Sequence, residues 1–87
     1  MDKIKKVHHL KTWPPYFQEI VEGNKTFDIR KNDRDFKTGD LIIFEEYAMG
    51  DLYTGRTIIR RIGYMLESQW GLAKGVCCMS ILPENKT

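Results

Sequence analysis

Residues 12–31 read TWPPYFQEIVEGNKTFDIRK, and the order of elements in the whole chain turns on this stretch. Pro14 and Pro15 suit the first turn of a helix, where their missing N–H groups would have no intrahelical partner. Thr12 stands where a side-chain N-cap is wanted. Trp13, Phe17, Ile20 and Val21 recur at i, i+4, i+7 and i+8, one apolar stripe on a helix of about two to three turns. Gly23 closes that helix as a left-handed residue. The period then changes. From Lys25 to Lys31 the apolar Phe27 and Ile29 alternate with Thr26, Asp28 and Arg30, the pattern of a strand that turns Phe27 and Ile29 to the core and the other three away from it.

Working outward, Val7 to Lys11 is short and β-compatible. Asn32 to Asp35 is a loop under which Phe36 tucks, and Thr38-Gly39-Asp40 is a turn. Leu41 to Tyr47 is apolar on both faces in its first half, so it is expected inside a sheet. Ala48 to Gly55, with two glycines and Asp51, reads as a long hairpin loop. Arg56 to Leu66 is a long strand. Gly63 marks a bulge or bend in it, since without one Arg60 shares a face with Ile58 and Ile62. Glu67 to Lys74 is loop or a helical turn, anchored by Trp70. Gly75 to Leu82 is the last strand, stopped by Pro83 and followed by a loose tail, Glu84 to Thr87. The element order is β-α-β-β-β-β, an α+β fold in one domain spanning 1–87 with its core at about 7–83. One short helix cannot cover five strands, so the sheet is expected to curl into a small barrel with the helix at one side or end.

Composition narrows the class. Of 87 residues, 41% are apolar and 30% charged, a globular balance rather than a disordered one. No apolar run approaches the roughly 20 residues of a membrane helix. The start, MDKIKKVHH, is basic and lacks the apolar stretch of a secretory signal. Adjacent Cys77 and Cys78 point to opposite faces of a strand, so they serve as small apolar filler in a reduced, cytoplasmic protein. Adjacent His8 and His9 point apart in the same way, and no Cys or Asp cluster accompanies them, so neither metal nor cofactor is expected. The net charge of +2 is mild. The basic residues nevertheless cluster: Lys3, Lys5, Lys6 and Lys11, then Lys25, Arg30, Lys31, Arg34 and Lys37, then Arg56, Arg60 and Arg61. Asp28, Asp33 and Asp35 interleave the middle group.

Three residues of the opening stretch carry potential chemistry. Lys25 shares the phase of Phe27 and Ile29 and so reaches the rim of the core. It is either a snorkelling lysine paired with a nearby glutamate, or a partly desolvated amine able to act as base or nucleophile. Asp28 and Arg30 are either a surface ion pair worth about 0–1 kcal/mol or a carboxylate orienting a guanidinium fork for phosphate or carboxylate. Trp13 is a core residue or a base-stacking one; Tyr47, at a strand end, is a freer stacking candidate. Arg56, Arg60 and Arg61 form a solvated face or touch phosphates.

Gly23-x-Lys25-x-x-Asp28-x-Arg30 resembles the G-x-K-x-x-[E/D]-x-R signature of the ASCH family, relatives of PUA RNA-binding domains. The Thr38-Gly39-Asp40 turn and the apolar strand after it resemble that family too. His8-x-Leu10-Lys11-x-Trp13-Pro14, KTFDIRKNDRDF and Tyr53-Thr54-Gly55-Arg56 together resemble a small bacterial and phage group of ASCH/PUA-like proteins, over residues 8 to about 82. The resemblance implies a PUA-like β-barrel with a cleft beside the first helix, lined by the signature. It implies an RNA or nucleotide-binding module with the signature residues Lys25, Asp28 and Arg30 at its site; beside them, Lys11, Lys31 and Arg34 are expected to add long-range attraction, His9 to line the cleft and Tyr47 to stack, in a monomer. It also implies an alternative: an amidohydrolase of acylated pyrimidine nucleosides, with Lys25 and Asp28 catalytic. Asp28 stands where that hydrolase branch has Thr, and Glu45, Glu46 and Glu67 are the candidates for its late Glu. A third expectation is a phage or plasmid accessory protein that binds another protein through Met49, Leu52 and Tyr53.

Overall fold

Alternation decides where each strand faces, and it holds across most of the sheet. The computed structural model describes residues 6–50 and 52–84; Lys3, Lys5, Asp51 and the last three residues of the tail lie outside them. Within that range the chain runs β1 (Val7–Thr12), α1 (Pro14–Val21), β2 (Phe27–Lys31), β3 (Leu41–Ala48), β4 (Leu52–Glu67) and β5 (Val76–Pro83). The five strands form one mixed sheet in the order β1-β3-β4-β5-β2, with β1 parallel to β3 and the other neighbours antiparallel. The sheet curls into a half-barrel. Every second residue is buried along β1, along β3 as far as Glu46 and along β5 as far as Ile81. Leu10, Ile42, Phe44, Cys77, Met79 and Ile81 thereby meet Ile62 of β4, Phe17 and Ile20 of α1, and Phe36, which does tuck under its loop.

The helix begins one residue later than a Thr12 cap requires. Thr12 ends β1, and the capping position falls on Trp13, which is extended and makes no side-chain cap bond. Trp13 therefore escapes the helical phase and is 58% exposed instead of packed in the core. The stripe contracts to Phe17 and Ile20. Gly23 does take a left-handed conformation, with φ of 83°. Its N–H donates to the carbonyl of Ile20, while Asn24 and Lys25 donate theirs to the carbonyl of Glu19. This closure delivers Lys25 to the start of β2.

Several local expectations change for physical reasons. The hairpin loop is shorter than Ala48 to Gly55, because Tyr47 pairs with Tyr53 and Ala48 with Leu52. The two tyrosine rings meet edge-on at 5.1 Å, and Thr54 donates to Glu46, so the strands continue almost to the tip. Arg60 does share the inner face with Ile58 and Ile62. Its guanidinium donates to the carbonyl of Ile20 at the helix C-terminus, which offsets its cost there. Arg56 and Arg61 are likewise engaged within the fold, Arg56 with Glu46 and Gln18 and Arg61 with Glu84 and the carbonyl of Gly39. Glu84 is thus held rather than loose. Gly63 does mark a bulge: register slips between Ile62 and Met65, and a Cβ at Gly63 would lie 2.5 Å from Ser80 Oγ. Trp70 is 83% exposed, so its ring is not sunk into the core as a loop anchor.

Cys77 and Cys78 are free thiols, the first buried. Burial, with the nearby carboxylates of Glu67 and Asp28, pushes the Cys77 thiol up. A raised thiol stabilises the fold fully below the ordinary thiol range of about 8.5, and that contribution disappears as pH climbs through the folded value. Wild type is therefore expected to lose stability between about pH 8.5 and 10 more steeply than Cys77→Ala does. Urea titrations across that interval measure it, and identical slopes refute it.

Candidate functional site

The strand that carries Asp28 and Arg30 is turned the opposite way from its own alternation. β2 pairs with β5 so that Asp28 lies opposite Met79 and Arg30 opposite Cys77, while Phe27 and Ile29 face Ser80 and Cys78. Directly opposed residues share a face. β5 commits Cys77, Met79 and Ile81 to the interior, and two apolar residues on an edge strand of five cannot outweigh three on β5. Asp28 is therefore buried at 6% exposure, while Phe27 and Ile29 stand 45% and 53% exposed.

An inward carboxylate must be paired, and the sequence places both partners within reach. Lys25 Nζ donates to Asp28 Oδ1 at 2.7 Å and to the carbonyl of Phe27 at 2.7 Å. Arg30 Nε donates to Asp28 Oδ2 at 2.5 Å. Lys25 is not part of the regular strand, which is how it reaches a residue of opposite parity. Its partner is an aspartate rather than a glutamate. Glu45 faces His9, Glu46 holds Thr54 and Arg56, and Glu67 accepts from Asn32. Among the described residues none of these three lies within ion-pair distance of Lys25.

Arg30 also closes a gap in the fold. β1 and β2 are the two edges of the sheet, and edge carbonyls need partners. Arg30 Nη2 donates to the carbonyl of Lys11 at 3.1 Å, and Arg34 Nη1 to that of His9 at 3.0 Å. Two guanidinium groups thus span from the β2 side to alternate carbonyls on β1. Nη1 of Arg30 makes no hydrogen bond among the described residues.

Beside this bridge lies a cleft of about 500 Å³, inside the range of roughly 300–1,000 Å³ typical of small-molecule sites. Lys25, Asp28 and Arg30 form its polar wall; Trp13, Tyr16, Phe27 and Ile29 supply apolar surface; Lys11 and Thr12 complete it. The Thr12 hydroxyl is buried and has no hydrogen-bond partner among the described residues.

The remaining sequence candidates fall in different places. Lys31 and Arg34 line a second pocket adjoining the first. His9 lies outside the cleft lining, exposed and 3.2 Å from Glu45. Tyr47 is also outside the lining, but the ammonium of Lys11 sits 4.7 Å above its ring. His8 points inward and donates to buried Asp40 at 2.8 Å. Sequence reasoning missed Tyr16, Phe27 and Ile29 as cleft residues. Tyr16 was findable, since it lies off the Phe17–Ile20 stripe across the two prolines from Trp13. The other two depended on the parity of β2. Among the described residues no group of three or more His, Cys, Asp or Glu is placed to hold a metal ion. No helix among them is long and apolar enough to cross a membrane.

Two comparisons bear on this chain. Residues 7–81 match a protein-family model described as Domain of unknown function (DUF3850). The chain is also 39% identical over 66 residues to an uncharacterized 12.9 kDa protein in the GpA 3' region of Escherichia phage P2. That alignment covers 75% of this chain and 60% of the phage protein, so the chain spans about 60% of its relative's length.

Proposed function

The chain belongs to the DUF3850 family, and from that premise and the cleft between β1 and β2 we propose that it is an RNA- or nucleotide-binding module. The carrying observation is the union of exposed aromatic surface with a fixed, net-positive polar triad in one cleft. A base needs a flat apolar partner, and Trp13, Tyr16 and Phe27 offer three rings at the site. Each base stacked on such a ring contributes about 1–3 kcal/mol. A phosphate or base edge needs donors held in place, and Asp28 holds Lys25 and Arg30 from between them. The likeness of Gly23-x-Lys25-x-x-Asp28-x-Arg30 to the ASCH signature supports the same reading, with the half-barrel as a PUA-like fold.

Binding is preferred over hydrolysis of an acylated nucleoside because Lys25 shares its protons with Asp28 and Phe27, and among the described residues no glutamate lies within ion-pair distance to carry one. The test is titration with short RNA and with free nucleosides at low and moderate salt. Lys25→Ala and Arg30→Ala are each expected to weaken binding about 10- to 100-fold, the worth of a hydrogen bond to a charged group of about 1.5–3 kcal/mol. Absence of binding to every RNA and nucleoside overturns the proposal. Turnover of an acylated pyrimidine nucleoside that Lys25→Ala abolishes would replace it with the hydrolase. Stoichiometric capture of one protein with no nucleic acid would replace it with the accessory-protein reading.

A further inference from the structure

We infer that the ligand is a nucleotide chain rather than a lone nucleoside, with a phosphodiester seated in a second, cationic pocket beyond Arg30. This rests on the reading of the first cleft as a base or nucleoside site. The second pocket has a volume of about 260 Å³ and is lined by Leu10, Arg30, Lys31, Asp33, Arg34 and Phe36. Arg30 is the wall common to both pockets. Its Nε rests on Asp28 and its Nη2 on the Lys11 carbonyl, leaving Nη1 as a donor uncommitted among the described residues. Arg34 is anchored to the His9 carbonyl through Nη1 alone. Lys31 is exposed and has no ion-pair partner among the described residues.

The two pockets differ in chemistry as the two parts of a nucleotide do. The first has the rings. The second has three cations, Arg30, Lys31 and Arg34, against one carboxylate, Asp33. Taken together the pockets hold Lys11, Lys25, Arg30, Lys31 and Arg34 against Asp28 and Asp33, an excess of three positive charges. The whole chain carries only +2, so its net positive excess lies in this groove and the rest of the chain is net negative by one charge. That is a footprint for a polyanion rather than a mild general excess. An aromatic slot continuing into a line of guanidinium groups suits a single strand, whose base stacks while its backbone follows the charge.

The experiment compares four probes on the full chain: a nucleoside, its monophosphate, a dinucleotide and inorganic phosphate alone. The dinucleotide is expected to bind at least about tenfold more tightly than the nucleoside, with a salt slope steeper by about 0.7 per added phosphate. Lys31→Glu and Arg34→Ala are each expected to weaken the dinucleotide about tenfold more than the nucleoside. Lys31 matters as the second variant because its side chain makes no hydrogen bond or ion pair among the described residues. Equal affinity for nucleoside and dinucleotide, with both variants indifferent, overturns this inference and leaves the first cleft as a nucleoside site. No binding of nucleoside or dinucleotide removes both. Equal competition by inorganic phosphate also overturns it, because the groove would then read charge alone.

Discussion

Replacing Asp28 by Ala is expected to lower folding stability by about 3 kcal/mol, the low end of the cost of breaking a buried charge pair. Asp28 is 6% exposed, and its two oxygens each serve one cation, Lys25 at 2.7 Å and Arg30 at 2.5 Å. Without it, two partly buried positive groups face each other across the space it filled. Their side chains retain 17% and 28% exposure, so water screens part of the repulsion and holds the loss at that low end. Two further measurements separate this cause from a simple cavity. Added salt should restore stability to Asp28→Ala more than to wild type, since screening weakens the repulsion. Adding Lys25→Met in the same chain should recover at least about 1 kcal/mol, because residues in one charge network couple. Urea titration followed by circular dichroism measures all of these. Strictly additive effects of Asp28→Ala and Lys25→Met would refute the shared-carboxylate account.

Asp40→Ala is expected to cost about 3–5 kcal/mol, since it takes the acceptor from two donors at about 1–3 kcal/mol each and leaves a cavity besides. Asp40 is fully buried. Its Oδ2 accepts from His8 Nε2 at 2.8 Å and from the backbone N–H of Lys37 at 3.1 Å. The same residue joins the turn to β4: Gly39 donates to the carbonyl of Ile62, and Ile62 donates to that of Asp40. His8 in turn packs against Phe36 at 4.6 Å between ring centres. Alanine would strand the imidazole in the interior, leave the part-buried Lys37 N–H without its acceptor and open a void beside His8. A domain of this size has about 4–13 kcal/mol in all, so the variant should be largely unfolded or should melt far below wild type. Asp40→Asn keeps an acceptor of the same shape and should lose only about 1–2 kcal/mol. Thermal unfolding of the two variants side by side decides it, and an Asp40→Ala midpoint within a few degrees of wild type would refute the anchoring role.

These two aspartates show where local pattern stops being informative. Helix, glycine and strand in residues 12–31, the order β-α-β-β-β-β and the Gly63 bulge were all legible, because each follows from short-range sterics. Proline fits a first helical turn, glycine tolerates a left-handed cap, and apolar period follows backbone geometry. The clustering of lysine and arginine around residues 25–37 was legible for the same reason: charges close in sequence stay close in space.

Which way β2 faces was not legible. Phe27 and Ile29 satisfy the alternation rule and still lie outside, because the decision belongs to the register with β5, some fifty residues away in the chain. Burial summed over the paired strands outweighs the preference of one edge strand. Trp13 left the helical stripe because the break between β1 and α1 fell one residue later than Thr12 suggested. The cleft itself exists only in three dimensions. β1 and β2 follow one another in sequence yet end at opposite edges of the sheet, and its curling brings those edges close enough for Arg30 and Arg34 to reach the carbonyls of β1. The amino-acid order determined which charges and rings are present and which elements carry them. Long-range strand pairing alone decided that Asp28 would be buried between two cations and that the rings would open beside them.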